Sequence, residues 1–131
     1  MNRVYIGDLV VITFGIKVIS SIINFNINNT NGAFLGEQFS KLGLNCYYHT
    51  TVGDNKGRII ESINLASQRS DIVVISGGIG PTADDVTIDA VAEYTGKQVS
   101  YNEKEEAKVI EGAILLHNEV GKSCGQIIEL D

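Results

Sequence analysis

Compact apolar runs alternate with stretches of helical period along this chain. The first run, Leu9–Ile23, reads as a buried strand or a pair of strands. Lys17 and Ser20-Ser21 interrupt it, and it falls short of the roughly 20 apolar residues that a membrane span needs. Asp8 stands where a signal peptide carries positive charge, and no small-residue cleavage site follows. An Asn-rich patch, 24–31, then leads to a helix capped by Thr30 or Asn31, with Leu35, Phe39 and Leu42 on one face and Gly43 ending it. Leu44–Thr50 reads as a Tyr-rich strand.

After the turn Val52-Gly53-Asp54-Asn55, capped by Asp54 or Asn55, the positions Ile59, Ile60, Ile63 and Ala66 recur at helical spacing. Ile72-Val73-Val74-Ile75 is a short β-branched run of the kind that forms a buried strand, and Val86–Tyr94 reads as a helix closed by Gly96. Beyond Lys97 the pattern weakens. Asn102–Lys108 reads as a short charged helix, while Ile110–Leu116 and Gln126–Leu130 read as strands that pair around Asn118–Gly125.

This order of elements implies right-handed parallel crossovers and a doubly wound α/β domain over residues 1–131. It is expected to have three layers: a mostly parallel sheet of four or more strands, with helices on both faces. Its core is expected to hold Ile59, Ile63, Val73, Val74, Ile75, Ile88 and Val91, with Ile72–Ile75 inside the sheet and not at an exposed edge. Ligands in such sheets lie outside the carboxyl ends of the strands, which places Asp54 and the Gly77–Asp85 segment on the working edge.

Composition narrows the field. With 44% hydrophobic and 20% charged residues, the chain is a soluble globular domain large enough to bury a core. A net charge of -6 argues against nonspecific nucleic-acid binding, which needs clustered Lys and Arg. Cys46 and Cys124 have neither metal spacing nor a Cys-rich framework and read as reduced thiols of a cytoplasmic protein. His49 and His117 have no partners at ligand spacing, and Glu103–Glu106 reads as a solvated face.

The chemistry concentrates in Ser76-Gly77-Gly78-Ile79-Gly80-Pro81-Thr82-Ala83-Asp84-Asp85. Strand, glycine-rich turn and helix together let backbone N–H groups meet an anion. Glycines that merely permit a tight turn would not require Thr82 and paired aspartates as well. Asp84 and Asp85 repel a bare phosphate, so the pattern suits a phosphorylated ligand accompanied by a cation. Asp84 can instead cap the following helix while Asp85 faces the ligand. Asn29 and Asn31 read as turn and cap residues that also suit hydrogen bonds to a ring edge. On spacing alone, Asp54 fits a cap as well as a catalytic carboxylate.

Three ordered blocks carry a family resemblance. They are Asn29-Thr30-Asn31 with Phe34-Leu35, then Thr50-Thr51-Val52-Gly53-Asp54-Asn55, then Gly77–Asp85 with Thr87. Together they resemble the molybdopterin-binding-like domain, and within it the branch formed by the N-terminal domain of competence/damage-inducible CinA proteins. The resemblance implies a three-layer α/β fold, a nucleotide or pterin ligand, and homo-oligomers. For CinA-like members it also implies hydrolysis of ADP-ribose at the pyrophosphate with a divalent metal such as Mg²⁺.

By position, Asp54 and Asp85 match the two functional carboxylates, with Asp85 toward the metal. Gly77, Gly78 and Gly80 match the phosphate-side turn, and Asn29, Asn31, Pro81, Thr82 and Asp84 complete the ligand-binding set. The chain departs from the family pattern in three places. The missing Glu and the missing C-terminal end favour the alternative of a binding module or remnant without turnover, whereas the intact glycine turn and both aspartates favour hydrolysis. After Ile6-Gly7-Asp8-Leu9 the expected Glu is missing, and Val10–Asn28 separates this segment from Asn29. Glu111-Gly112-Ala113 arrives too soon after Ala107 for the family's intervening helix. Asp131 comes before the Pro-Gly-Pro-Pro strand end, so the end of the domain and a deamidase domain are expected to be absent.

Overall fold

The computed structural model describes residues 8–14, 30–53, 55–76, 86–119 and 124–130. Three strands form the main sheet: β1 (Asp8–Phe14), β2 (Asn45–Val52) and β3 (Ile72–Ser76), in the order β2-β1-β3. Both pairings are parallel. Helix α1 (Thr30–Lys41) carries the chain from β1 to β2, and α2 (Lys56–Arg69) carries it back across β1 to β3. Two crossovers of one hand running in opposite directions place α1 and α2 on opposite faces, so the fold is the three-layer α/β arrangement. α1 packs on β1 and β2, whereas α2 packs on all three strands.

The core lies under α2. Ile59, Ile63 and Ala66 are buried at helical spacing and meet Ala90 of α3 (Thr87–Thr95). Val73 and Ile75 pack against this cluster from β3, and Val91 from α3. Val74 and Ile88, also expected in the core, are half-buried. Burying an Ile side chain contributes about 1.5–3 kcal/mol, and the spacing of these residues makes one face of α2 pack where isolated helical propensity would not suffice.

Helix α3 ends where the sequence says it should. Gly96 takes the left-handed region at φ 68°, and the Lys97 N–H donates to the Ala92 carbonyl at 3.0 Å. This is the paired C-terminal closure that only a residue without Cβ adopts freely.

The remaining strands form two antiparallel hairpins. β4 (Val99–Asn102) pairs with β5 (Ala107–Ile110), and β6 (Ile114–Leu116) pairs with β7 (Gly125–Ile127). The Gln126 side chain joins them: its Oε1 accepts from the Ile110 N–H at 2.8 Å, and its Nε2 donates to the Lys108 carbonyl at 2.9 Å. An amide side chain thereby stands in for a neighbouring strand along β5.

Several expectations are corrected here. Among the described residues the main sheet has three strands and not four or more, which leaves β3 on its outside with half-buried residues. Asn102–Lys108 is not a helix but the β4–β5 turn. The Asn102 Oδ1 accepts from the Glu105 N–H at 2.9 Å, and Glu106 adopts a positive φ of 50°. A side chain that bonds the backbone two or three residues on competes directly with helix formation. Thr30 and Asn31 fall inside α1 rather than capping it, and Leu42 lies past its end, 70% exposed. The expected strand pairing around Asn118–Gly125 is confined to β6 and β7, with Ile110 belonging to β5. Of the first apolar run, residues 15–23 lie outside the described residues.

Candidate functional site

The strands fix where a ligand could sit. Phe14 of β1 pairs with Val52 of β2, and Thr13 pairs with Ser76 of β3, so all three strands end at one edge. Val52 and Ser76 flank β1, two strand spacings or about 10 Å apart. The chain leaves β1 toward β2 and later returns to β3 on the other side, which makes the gap between β1 and β3 the topological switch point. Segment 53–55 starts beside this edge, and the glycine-rich segment 77–85 leaves directly from β3.

Of the sequence-predicted site, Asn29, Asp54, Gly77, Gly78, Gly80, Pro81, Thr82, Asp84 and Asp85 lie outside the described residues. Asn31 lies in the first turn of α1. The structure therefore brings together the strand ends from which these segments depart, and that juxtaposition is the site's frame.

Local contacts shape the frame. Asn55 is the residue that caps α2: it is extended at φ −135°, and its Oδ1 accepts from the Arg58 N–H at 3.0 Å. A Cβ on Gly57 would come 3.4 Å from that oxygen, so the glycine leaves the cap room. The Asn55 N–H donates to the Gly53 carbonyl at 2.7 Å, drawing the exit of β2 tightly into α2. Lys56 follows, a cation at the positive end of a helix dipole. Glu93 on α3 compensates, with its Oε2 2.7 Å from the Lys56 Nζ. The hydrogen bond and the charge of Glu93 hold the Lys56 ammonium above its ordinary pKa.

On the other side of the edge, α3 has Val86 at its cap position, with φ −104° and no side-chain acceptor. Asp89 in the first turn suits the helix dipole, and its Oδ2 lies 3.4 Å from the Lys108 Nζ of β5. Thr87 is buried at 2% exposure. Ser76, the last residue of β3, has a buried hydroxyl with no hydrogen-bond partner among the described residues.

Sequence reasoning named Ser76 only as the start of the glycine-rich stretch, without a role of its own, and passed over Lys56 and Glu93. For Ser76 a signal existed, since it is the polar position that ends an apolar strand. The Lys56–Glu93 pair had none, because it depends on how two helices cross.

No group of three or more His, Cys, Asp or Glu able to hold a metal occurs among the described residues. His117 pairs with Glu105 at 3.0 Å, and His49 is exposed on β2. Nor is any helix among the described residues long and apolar enough to cross a membrane.

Residues 8–123 match the family model described as "Probable molybdopterin binding domain". A protein of Streptococcus equi subsp. equi named as competence-damage inducible is 37% identical over 138 aligned residues, covering 88% of this chain and 33% of its own length. A protein of the same name from Streptococcus pyogenes serotype M49 is 38% identical with the same coverage. The chain thus spans about a third of the length of these relatives.

Among solved structures, CinA of Thermoplasma acidophilum, described as of unknown function, superposes with a TM-score of 0.81 at 27% identity, over 94% of this chain and 82% of that one. The tungsten cofactor synthesizing protein MoaB of Pyrococcus furiosus superposes with a TM-score of 0.57 at 27% identity, over 76% and 59%. With a family match that runs from the first residue of β1 to the residue before Cys124, the chain belongs to the molybdopterin-binding domain family.

Proposed function

We propose that this domain binds a phosphorylated nucleotide or pterin at the carboxyl edge of its sheet, across β1 and β3. The observation that carries this reading is the strand order β2-β1-β3, which puts the switch point where the glycine-rich segment 77–85 begins. Two further features support it. The segment enters a helix whose cap position offers no competing side-chain acceptor. The matching family model is described as a probable molybdopterin binding domain, and one similar solved structure is named for tungsten cofactor synthesis.

In this reading the N–H groups of Gly77, Gly78 and Gly80 receive phosphate oxygens. Pro81, Thr82 and Asp84 line the same turn, while Asn29 and Asn31 meet the ring edge from the start of α1. Asp54 and Asp85 are, in this reading, the two functional carboxylates that the family resemblance implies. A divalent cation at Asp85, Mg²⁺ by its preference for one or two carboxylates plus phosphate oxygens, offsets the charge of the ligand.

The finer proposal is turnover, with cleavage of ADP-ribose at its pyrophosphate and Asp54 and Asp85 as acid/base groups around an attacking water. Positioning and electrostatics suffice for such a step, and no covalent nucleophile is required.

A thermal-shift panel of ADP-ribose, AMP, ATP and a pterin, each with and without Mg²⁺, tests the reading. A ligand at a hundred times its dissociation constant stabilises by about 2.7 kcal/mol, well within detection. No shift with any of them would sink the binding proposal. Binding of ADP-ribose without release of AMP would sink turnover and leave a binding module.

A further inference from the structure

We propose that Arg69, Ser70 and Tyr48 form a second binding site, which takes a carboxylate at the end of the sheet away from the ligand edge. This site goes beyond the nucleotide- or pterin-binding reading and does not rest on it.

The corner is built where α2 hands the chain to β3. Arg69 is the last residue of α2, and Ser70 follows as its C-cap with extended backbone. The guanidinium carbon of Arg69 lies 3.8 Å from the centre of the Tyr48 ring. Tyr48 stands on the α2 face of β2, since Val52 of the same strand packs against the α2 cluster and alternate residues share a face. The five residues of β3, about 16 Å of strand, separate this corner from the carboxyl edge.

Two donors in the corner are unpaired. Arg69 Nε and Ser70 Oγ are buried, and neither has a hydrogen-bond partner among the described residues. A cation in the last turn of α2 suits the negative end of the helix dipole, but that benefit does not call for a buried, unpaired Nε. Among the described residues no carboxylate pairs with Arg69, although the chain carries 16 acidic residues. A buried donor left unsatisfied is unfavourable, most of all on a charged group. Both residues are only half-buried, so the corner reaches the protein surface.

The donors select the ligand. A guanidinium offers a planar fork of N–H groups, Nε among them, that matches the two oxygens of a carboxylate. Contact with the Tyr48 ring holds the guanidinium in place, which lowers the cost of ordering that fork when a ligand arrives. The Ser70 hydroxyl, on the adjoining residue, supplies a further donor.

Acetate, the simplest stable carboxylate probe, tests the site on the full chain. Proton–nitrogen correlation spectra resolve each arginine Nε–H and each backbone amide. At constant ionic strength the Arg69 Nε–H and the Ser70 amide should shift saturably over about 1–100 mM acetate, as befits so small a ligand. The Nε–H of Arg58, exposed at the start of α2, should stay in place. Ser70→Ala should raise the half-saturating concentration about tenfold, the loss of one hydrogen bond to a charged group. In Arg69→Lys, which keeps the charge and loses the fork, the Ser70 amide should no longer saturate.

An Arg69 Nε–H that does not move, or that moves in step with Arg58, would overturn the site. So would an acetate affinity left unchanged in Ser70→Ala or in Arg69→Lys. The wild-type titration decides the matter even where a variant fails to fold.

Discussion

Lys56 in the first turn of α2 and Glu93 on α3 meet with Nζ 2.7 Å from Oε2, joining the helix that follows Asp54 to the helix that follows Asp85. Both side chains are about half exposed, at 50% and 57%. The pair therefore orients the two helices more than it stabilises them, because exposed pairs are weak and screened by salt.

This pair sets the first prediction. Glu93 raises the Lys56 pKa above 10.5, so the folded state holds the proton more tightly than the unfolded one. The contribution is fully present below about pH 10.5 and is lost as pH rises through the raised value. Melting temperatures of wild type, Lys56→Met, Glu93→Gln and the double variant should reveal a small coupling at pH 7 in low salt. That coupling should vanish in 1 M NaCl and again above the Lys56 titration. A coupling unchanged by 1 M salt would contradict the screened geometry.

The Asn55 cap gives a second test. Its side chain alone supplies the acceptor for the Arg58 N–H, so Asn55→Ala should lower unfolding free energy by about 1 kcal/mol, within a range of about 0.5–2. Asn55→Asp should recover most of the loss, since Asp caps comparably and favours the helix dipole. Urea denaturation of the three proteins checks this. If Asp fails to rescue, capping is not the role of that side chain.

Core and surface separate in a third comparison. Ile59 is 0% exposed at the centre of the α2–α3 contact, whereas Leu42 is 70% exposed. Ile59→Ala should destabilise by about 2–5 kcal/mol through lost transfer energy and the cavity left behind. Leu42→Ala should stay within about 0.5 kcal/mol of wild type. Comparable losses at the two positions would show that Leu42 is covered in solution.

Cys124 provides a chemical probe. Its thiol is buried, and burial, aided by the charge of Glu105, pushes its pKa above 9.0. Thiolate is the reactive form, so the native protein should resist alkylation at Cys124 at pH 8 and react promptly in denaturant. Peptide-resolved mass spectrometry after timed iodoacetamide treatment reads this directly. Rapid native labelling at Cys124 would mean that the β6–β7 region opens readily.

The sequence made the parallel half of the fold readable and the hairpin half much less so. Ile59, Ile63 and Ala66 announce α2 because a periodic apolar face is both the signal and the cause of packing. Gly96 announces the end of α3 because only a residue without Cβ takes its φ without strain. The segment Asn102–Lys108 misleads because exposed charges are compatible with helix and turn alike. What decides it is the Asn102 side chain bonding Glu105, together with the pairing of Val99 with Ile110. The candidate site divides the same way. Its place at the sheet edge follows from the order of elements, whereas the Lys56–Glu93 pair depends on how two helices cross, which no local pattern encodes.

The last prediction concerns Asp85. If its carboxylate faces the cation that accompanies a bound phosphate, Asp85→Asn removes the charge while preserving size and hydrogen-bonding shape. The cap position of α3 falls on Val86, so the helix does not depend on Asp85 as its N-cap residue. The free variant should therefore melt close to wild type, while Mg²⁺-dependent stabilisation by ADP-ribose or AMP should fall sharply. Asp85→Ala should behave alike in both respects. A loss of about 1 kcal/mol on Asp85→Ala, spared in Asp85→Asn and with binding intact in both, would assign the residue to supporting the helix start. A loss of about 3–5 kcal/mol already in Asp85→Asn would point instead to a buried ion pair broken on one side. The expected outcome is lost binding with stability kept, because a carboxylate beside a second carboxylate, Asp84, at a glycine-rich turn has little to offer the fold and much to offer a cation.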